Sequence, residues 1–505
     1  MALSSQICYL RCVNTQKKVN LPHQKPVRIG RNEETGITDL HVSRNHLECT
    51  ADLDTSKVIL KTLGKSYSGC NGYALIQNRT YTLKHGDRIE VRLGFHEFDI
   101  IFESEDEPAT KKGRLDSFAM NSNSNKKLSN SGKWEELDGR DLLIFTTDNC
   151  EPQSAIAAFD LDGTLIKTKS GARFPKDPDD WISHINSVPQ KLQKLYDKGH
   201  KVVIFANQSD LSNDFSKVKG FKKKIEAIIT KLSVPVQVFI ATGKSIYRKP
   251  APGMWNVFIE SKNGGVAIDI EKSFYVGDEA GRENNWAPKK NKDPSICDRL
   301  FALNVGLKFY TPEEYFLGFP PAPHIMPEFD PRRLSNDAYP QIATGKQEVI
   351  IMVGTLGSGK SHFCKNFLVP KGYVHVSQDK LGSWKKFTKM LEDCLQKKQS
   401  VVIDNTNPDK ESRQKFIDVA KRKQVDCRCF IMTTSHNHVK HNIRFRNITD
   451  KSQLPVGDLN LNSYKKAFQE PEMAEGFSEI VKIPFIPKFE KAEHEKLYKM
   501  FLLED

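Results

Sequence analysis

A chain of 505 residues with 38% hydrophobic residues carries enough apolar material for about three ordinary domains. Its formal net charge of +13 suits a polyanionic partner such as nucleic acid, and equally a solvated basic surface. No run of about 18 apolar residues occurs, and the start MALSSQICYLRCVN lacks a basic segment followed by a clean apolar one, so neither a membrane span nor a signal peptide is expected.

Residues 1–103 read as short strands. YTLKHGDRIEVRLGFHEFDIIF alternates apolar and polar residues on either side of the His85-Gly86-Asp87 turn, and KVILKTL is a further strand. A small all-β sandwich is expected. Within it, Gly30-Arg31, Ser43-Arg44-Asn45-His46 and Asn71-Gly72 follow in that order. Arg31 and Arg44 can pair with a phosphate, Ser43 can hydrogen-bond it, and Asn71 can hold a peptide backbone. His46 suits a loop brace better than a ligand contact. The ordered set resembles the forkhead-associated fold, and the resemblance implies binding of phosphothreonine peptides on phosphorylated scaffold proteins of strand-break repair.

Residues 104–133, rich in Ser, Asn and charge, cannot bury enough surface to offset chain entropy and read as a flexible linker. From residue 134 to 331, apolar runs alternate with helical stretches: AIAAFDLDGT, KVVIFANQ, VPVQVFIATG and SFYVGD. That alternation predicts a parallel α/β sheet. The Pro-rich stretch 318–331 reads as a connector, and residues 340–505 show a second α/β series: EVIIMVG, YVHVSQD, SVVIDNTN and CRCFIMTT.

In the first α/β segment, Phe159-Asp160-Leu161-Asp162-Gly163-Thr164 follows an apolar strand. Residues two apart on extended backbone point to one side, so Asp160 and Asp162 can share a site. Two carboxylates suit Mg²⁺, and phosphoryl chemistry needs two unlike acids, one to attack and one to move a proton. An acidic turn without chemistry is the alternative. Lys249, in Tyr247-Arg248-Lys249-Pro250, can offset phosphate charge, and Asp278 closes another strand.

Together these motifs resemble the haloacid-dehalogenase-type phosphatases, and YVGDEAGRENNWAP…CDRLFALNVGL resembles the phosphatase domain of the polynucleotide kinase 3′-phosphatases. The resemblance implies Asp160 as nucleophile and Asp162 as general acid then base. It also places Lys249 on the phosphate, and Asp278 and Asp298 on Mg²⁺ with Asp160 and Asp162; for Asp298 a helix cap is the alternative. Thr164 and Asn207 are expected near substrate. Ala206 stands where the family carries a Thr or Ser hydroxyl. A lost hydrogen bond to a charged phosphate is worth about 1.5–3 kcal/mol, which predicts a slowed phosphatase with Asn207 and Ser209 as partial substitutes.

In the second α/β segment, Gly354-Thr355-Leu356-Gly357-Ser358-Gly359-Lys360-Ser361 fits GxxxxGK[ST] between an apolar strand and a helix. Backbone amides cradle the phosphates of ATP, Lys360 reaches them, and Ser361 can ligate Mg²⁺. The flanking YVHVSQDKLGSW and VIDNTNP resemble the 5′-kinase domain of the same family. That resemblance implies Asp379 as the base for a 5′-hydroxyl, Asp404 and Asn405 near substrate, and Arg444 or Arg446 as a lid over the transferring phosphate; a basic helix face is the alternative for the arginines. Gln378 stands where an arginine is expected.

The ten cysteines include no CxxC pair, and Cys427-x-Cys429 lacks a partner pair at zinc spacing, so a reducing compartment, cytosol or nucleus, is expected. The whole resembles a monomeric, nuclear, bifunctional enzyme for broken DNA ends. Two other readings stay open on sequence alone. One is a phospho-dependent adaptor with a decayed phosphatase, suggested by Ala206. The other is a kinase and phosphatase for a small metabolite, against which the basic balance weighs.

Overall fold

The computed structural model describes residues 6–71, 73–104, 131–214, 216–288, 290–334, 342–377, 384–450 and 457–504. The chain forms two compact units, residues 1–326 with 504–505, and residues 327–503. No described helix is long and apolar enough to cross a membrane.

The first unit opens with the expected antiparallel sandwich. One sheet runs in the order Lys18–Asn20, Gln6–Cys12, Phe95–Ser104, Arg88–Arg92, Gly69–Cys70, Tyr73–Ala74; the other in the order Pro26–Ile29, Leu47–Asp52, Lys57–Thr62, Thr80–Lys84. Lys57–Thr62 alternates strictly, placing Val58 and Leu60 in the core. The His85-Gly86-Asp87 turn carries the chain between the two sheets, because Thr80–Lys84 pairs with Lys57–Thr62 while Arg88–Arg92 pairs with Phe95–Ser104. Gly86 supplies the left-handed corner (φ +84°), and Asp87 accepts the Lys84 amide at 2.8 Å.

The expected linker lies largely outside the described residues, but its end does not. Gly132–Leu137 is already a strand, paired antiparallel with Leu142–Thr147. The turn between them uses Asp138 and Gly139, both at positive φ, a local signal overlooked beside the stronger apolar runs. This hairpin forms the antiparallel edge of a seven-stranded sheet. Beyond it come Val236–Ala241, His200–Asn207, Ala155–Phe159, Phe274–Val276 and Lys308–Tyr310, all parallel. Ala155–Phe159 therefore lies between His200–Asn207 and Phe274–Val276, so the turns after these three strands converge at one end.

The second unit has five parallel strands: Val374–Ser377, Val401–Asp404, Glu348–Val353, Asp426–Met432 and Glu479–Ile483. Glu348–Val353 is buried along its whole length, as a central parallel strand covered on both faces must be. Its charged residue is paired: Arg428 donates to both oxygens of Glu348, at 2.6 and 2.8 Å. Arg413 is wholly buried; it grips Glu475 at 2.7 and 2.8 Å and donates to three backbone carbonyls.

Arg413→Ala leaves Glu475 buried and unpaired, a change that costs about 3–5 kcal/mol. The expected outcome is a clear fall in the thermal midpoint at which kinase activity is lost, measured by heating and assay; an unshifted midpoint would show that the pair holds nothing together.

Candidate active sites

The first site grows from the end of Ala155–Phe159. Asp160 leaves the strand with its amide on the Val276 carbonyl at 2.8 Å, which aligns it with the neighbouring strand. The Lys249 ammonium, 1% exposed as a residue, donates to Asp160 Oδ1 at 2.7 Å, Asp298 Oδ1 at 2.7 Å and the Tyr275 hydroxyl at 2.8 Å. Tyr275 donates in turn to Asp298 Oδ1 at 2.9 Å. Asp278 comes in beside Gly163, where a Cβ would lie 2.3 Å from its carboxylate, and the Thr164 hydroxyl donates to it at 3.1 Å. Carboxylate oxygens of Asp160, Asp278 and Asp298 all lie within 4.8 Å of one another.

Burial raises the Asp160 carboxyl well above the ordinary carboxylate range; Lys249 opposes this and Asp298 adds to it. Burial, then Asp160 and Asp298, raise Asp278 likewise. Burial works against the Lys249 charge, yet Asp160 and Asp298 hold its pKa well above the usual lysine value. Three carboxylates against one ammonium leave surplus negative charge in a buried space, and an all-oxygen donor set of this kind fits a hard divalent cation.

Asp162 sits apart from this cluster. Its side chain is 46% exposed, accepting from Gln208 Nε2 at 2.6 Å and lying 3.5 Å from the Lys224 ammonium. Neither partner emerged from the sequence reading, although both leave a trace. Gln208 ends the VIFANQ segment, and Lys224 shares the buried face of helix Ser216–Leu232 with Phe221, Ile225 and Ile228. Two expectations need correction. Both ends of the Asn207 carboxamide are bonded to the Lys249 backbone, at 3.0 and 3.2 Å, so Asn207 braces the lysine loop instead of facing substrate. Thr164 is fully buried and holds Asp278. Ala206 is buried in its strand and brings no hydroxyl.

The second site is a cleft of about 650 Å³ over the loop that follows Glu348–Val353. Gly357 and Gly359 adopt left-handed backbone (φ +78° and +97°), and a Cβ there would meet Ile443 at 2.6 Å and Phe485 at 2.2 Å. Lys360 opens the helix Lys360–Phe363 and lies over its own loop, 2.8 and 2.9 Å from the carbonyls of Gly354 and Thr355. The Thr355 and Ser358 hydroxyls are buried without a hydrogen-bond partner among the described residues. Asp404 ends its strand 2.8 Å from His375 Nε2. Burial acts to raise its carboxyl, but hydrogen bonds from His375 and Ser361 and the Lys360 charge leave it below the ordinary value.

Of the two arginines expected over the transferring phosphate, Arg446 lines the cleft and Arg444 does not. Two residues apart on helix His436–Thr449, they point about 200° apart around the axis, so both cannot face the cleft. Arg446 Nε and Nη2 are buried with no partner among the described residues. Asn405 uses its carbonyl on the Thr406 amide at 2.8 Å and is not part of the cleft wall. Asn442, which the sequence did not single out, donates to Gly357 O at 2.9 Å and ties helix His436–Thr449 to the glycine loop. Asp379 and Gln378 lie outside the described residues.

At the sandwich, His46 is fully buried and braces the loops as expected: Nδ1 accepts the Ser43 amide at 3.0 Å and Nε2 lies 3.1 Å from Ser66 O. A Cβ at Gly30 would lie 2.4 Å from the carbonyl oxygens of both Ser43 and Arg44, so the glycine lets the Arg31 and Ser43 loops meet. Arg31 is half-buried with Nε on Val42 O at 3.2 Å, and Arg44 is exposed. Asn71 departs from expectation. It is 8% exposed, at φ +51°, with its carboxamide bonded to Asp87 at 3.3 Å and the Arg88 amide at 3.0 Å.

Comparison with known proteins matches residues 155–316 to the family model "Polynucleotide kinase 3 phosphatase", residues 8–77 to "FHA domain" and residues 349–471 to "AAA domain". A protein of Schizosaccharomyces pombe named "Bifunctional polynucleotide phosphatase/kinase" is 38% identical over 359 residues, 70% of this chain and 85% of its own length. The chain belongs to the bifunctional polynucleotide phosphatase/kinases. The Arabidopsis thaliana "Polynucleotide 3'-phosphatase ZDP" is 40% identical over 202 residues, 37% of this chain and 27% of that protein. Aprataxin of Ciona intestinalis is 39% identical over 92 residues, 18% of this chain and 24% of its own.

In this member of the family, Gly277 lets Asp298 approach the strand end: a Cβ there would sit 2.4 Å from the Asp298 carboxyl carbon. Gly277→Ala should displace Asp298 from Lys249 and lower the phosphatase rate about 100-fold, the usual cost of misplacing catalytic groups by an ångström. The kinase rate is the control; an unimpaired phosphatase would show that the approach is not needed.

Proposed function

We infer that the chain removes 3′-phosphates and installs 5′-phosphates at DNA strand breaks, using the two sites separately. The observation that carries this reading is a buried carboxylate at a strand end, Asp160, held 2.7 Å from a buried ammonium, in the same chain as a glycine-loop cleft. The net charge of +13 suits a DNA substrate.

In the phosphatase reaction an Asp160 oxygen attacks the 3′-phosphorus, the bond to the 3′-oxygen breaks, and Asp162 gives that oxygen its proton. Asp162 then takes a proton from water as the water cleaves the aspartyl-phosphate, releasing inorganic phosphate and restoring Asp160. Gln208 and Lys224 hold Asp162 for this work, and Lys249 offsets the phosphate charge. Asp160, Asp278 and Asp298 would hold Mg²⁺, which supplies further charge for the phosphate. In the kinase reaction the loop from Gly354 to Ser361 cradles ATP, Asp379 takes the proton of the 5′-hydroxyl, and Arg446 faces the charge on the moving γ-phosphoryl group. Asp404, anchored by His375, accepts a hydrogen bond from Ser361, which would help to hold Mg²⁺.

The sandwich takes phosphothreonine peptides of repair scaffold proteins through Arg31, Ser43 and Arg44, and the nucleus is the compartment where these parts meet. Asn71 in its present position adds nothing to that surface.

On a nicked duplex bearing a 3′-phosphate and a 5′-hydroxyl, Asp160→Asn should abolish dephosphorylation while 5′-phosphorylation continues. Lys360→Ala should do the reverse. Loss of both reactions in either variant would defeat the assignment of independent sites. For the sandwich, Arg31→Ala should weaken binding of a phosphothreonine peptide at least tenfold, read by fluorescence anisotropy; unchanged affinity would remove the pocket.

A further inference from the structure

The loop carrying Lys249 and the loop leading to Asp298 come from segments 49 residues apart, yet their reactive groups must meet at 2.7 Å. Glu504, which belongs to the same compact unit, touches both loops. Its carboxylate receives Arg248 in a two-pronged ion pair, Nε to Oε1 at 2.5 Å and Nη2 to Oε2 at 2.9 Å. Its backbone carbonyl accepts from the Ser295 hydroxyl at 2.8 Å and the Ile296 amide at 3.2 Å. Arg248 is the residue before Lys249. Ser295 Oγ accepts the amide of Cys297, the residue before Asp298, at 2.9 Å. One residue thus stands one step behind each member of the Lys249–Asp298 pair.

The contact has the features of an ion pair that holds position. The Arg248 side chain is only 14% exposed and that of Glu504 35%, and the geometry is bidentate, which fixes orientation as well as distance. Exposed single-pronged pairs, such as Lys217 with Asp214 at 3.9 Å, do neither. Burial opposes the Arg248 charge, and Glu504 more than offsets that, leaving its pKa raised.

We propose that Glu504 is a positioning residue of the phosphatase site, a clamp that joins the Lys249 loop to the Asp298 loop and so sets the gap that the lysine ammonium bridges. The inference rests on the phosphatase reading given above. Glu504 acts through Arg248 and Ser295, and its effect falls on the chemical step.

The test compares full-length Glu504→Ala and Glu504→Gln with the unaltered protein, on a 3′-phosphorylated nicked duplex and, in parallel, on a 5′-hydroxyl duplex with ATP. In Glu504→Ala, kcat for 3′-phosphate removal should fall roughly tenfold while KM stays within about twofold. Glu504→Gln keeps one acceptor for Arg248 and should fall less; it also serves should the alanine variant fail to fold. The 5′-kinase rate should hold. Three results would overturn the clamp: an undiminished phosphatase kcat in both variants, equal loss of both reactions, or a change confined to KM. Failure of the unaltered protein to remove the 3′-phosphate would instead bring down the phosphatase reading, and the clamp with it.

Discussion

A lysine ammonium with almost no access to water is the constraint around which the phosphatase half is arranged. An unpaired ammonium in that position would be untenable, and a single carboxylate would leave its remaining protons without acceptors. Lys249 therefore draws in Asp160, Asp298 and the Tyr275 hydroxyl together. The carboxylates so gathered repel one another, with Asp278 adding to the excess. That excess is the property that suits the cluster to a divalent cation. The glycines at 163 and 277 follow from the same crowding, since a side chain at either would strike a carboxylate.

On the proposed reading, the chain would grip phosphate by three different physical means. In the first α/β segment the means is a buried carboxylate with an ammonium 2.7 Å away to balance charge. In the second it is a loop with left-handed glycines at 357 and 359, where side chains are kept away because Ile443 and Phe485 fill the space a Cβ would need. The sandwich offers guanidinium groups on loops buttressed by the buried ring of His46. Both α/β sites sit beyond the carboxyl ends of parallel strands, where the backbone leaves the sheet and neighbouring turns converge.

Much of this was legible in the sequence. Alternating and continuous apolar runs marked nearly all the strands described above, and DxDGT and GxxxxGKS marked the strand ends where the carboxylate cluster and the cleft lie. What escaped was of two kinds. The hairpin Gly132–Leu137 with Leu142–Thr147 was hidden by its largely polar first strand, GKWEEL, next to a low-complexity segment. The other misplacements concern side chains with a choice of partner. Asn207 and Asn71 could face ligand or backbone, and each found a nearby backbone group to satisfy. Arg444 and Arg446 were indistinguishable in sequence, and the rotation of one helix separated them.

The sequence by itself determined which chemistries the chain can host, because carboxylates two apart after a strand and a glycine loop before a helix are local patterns whose geometry follows from backbone periodicity. Only the tertiary structure decided which charges meet. Lys224 beside Asp162, His375 on Asp404 and Glu504 on Arg248 join segments far apart in the chain. Electrostatic contact depends on distance through space and on exclusion of water, and neither quantity is written in the order of residues.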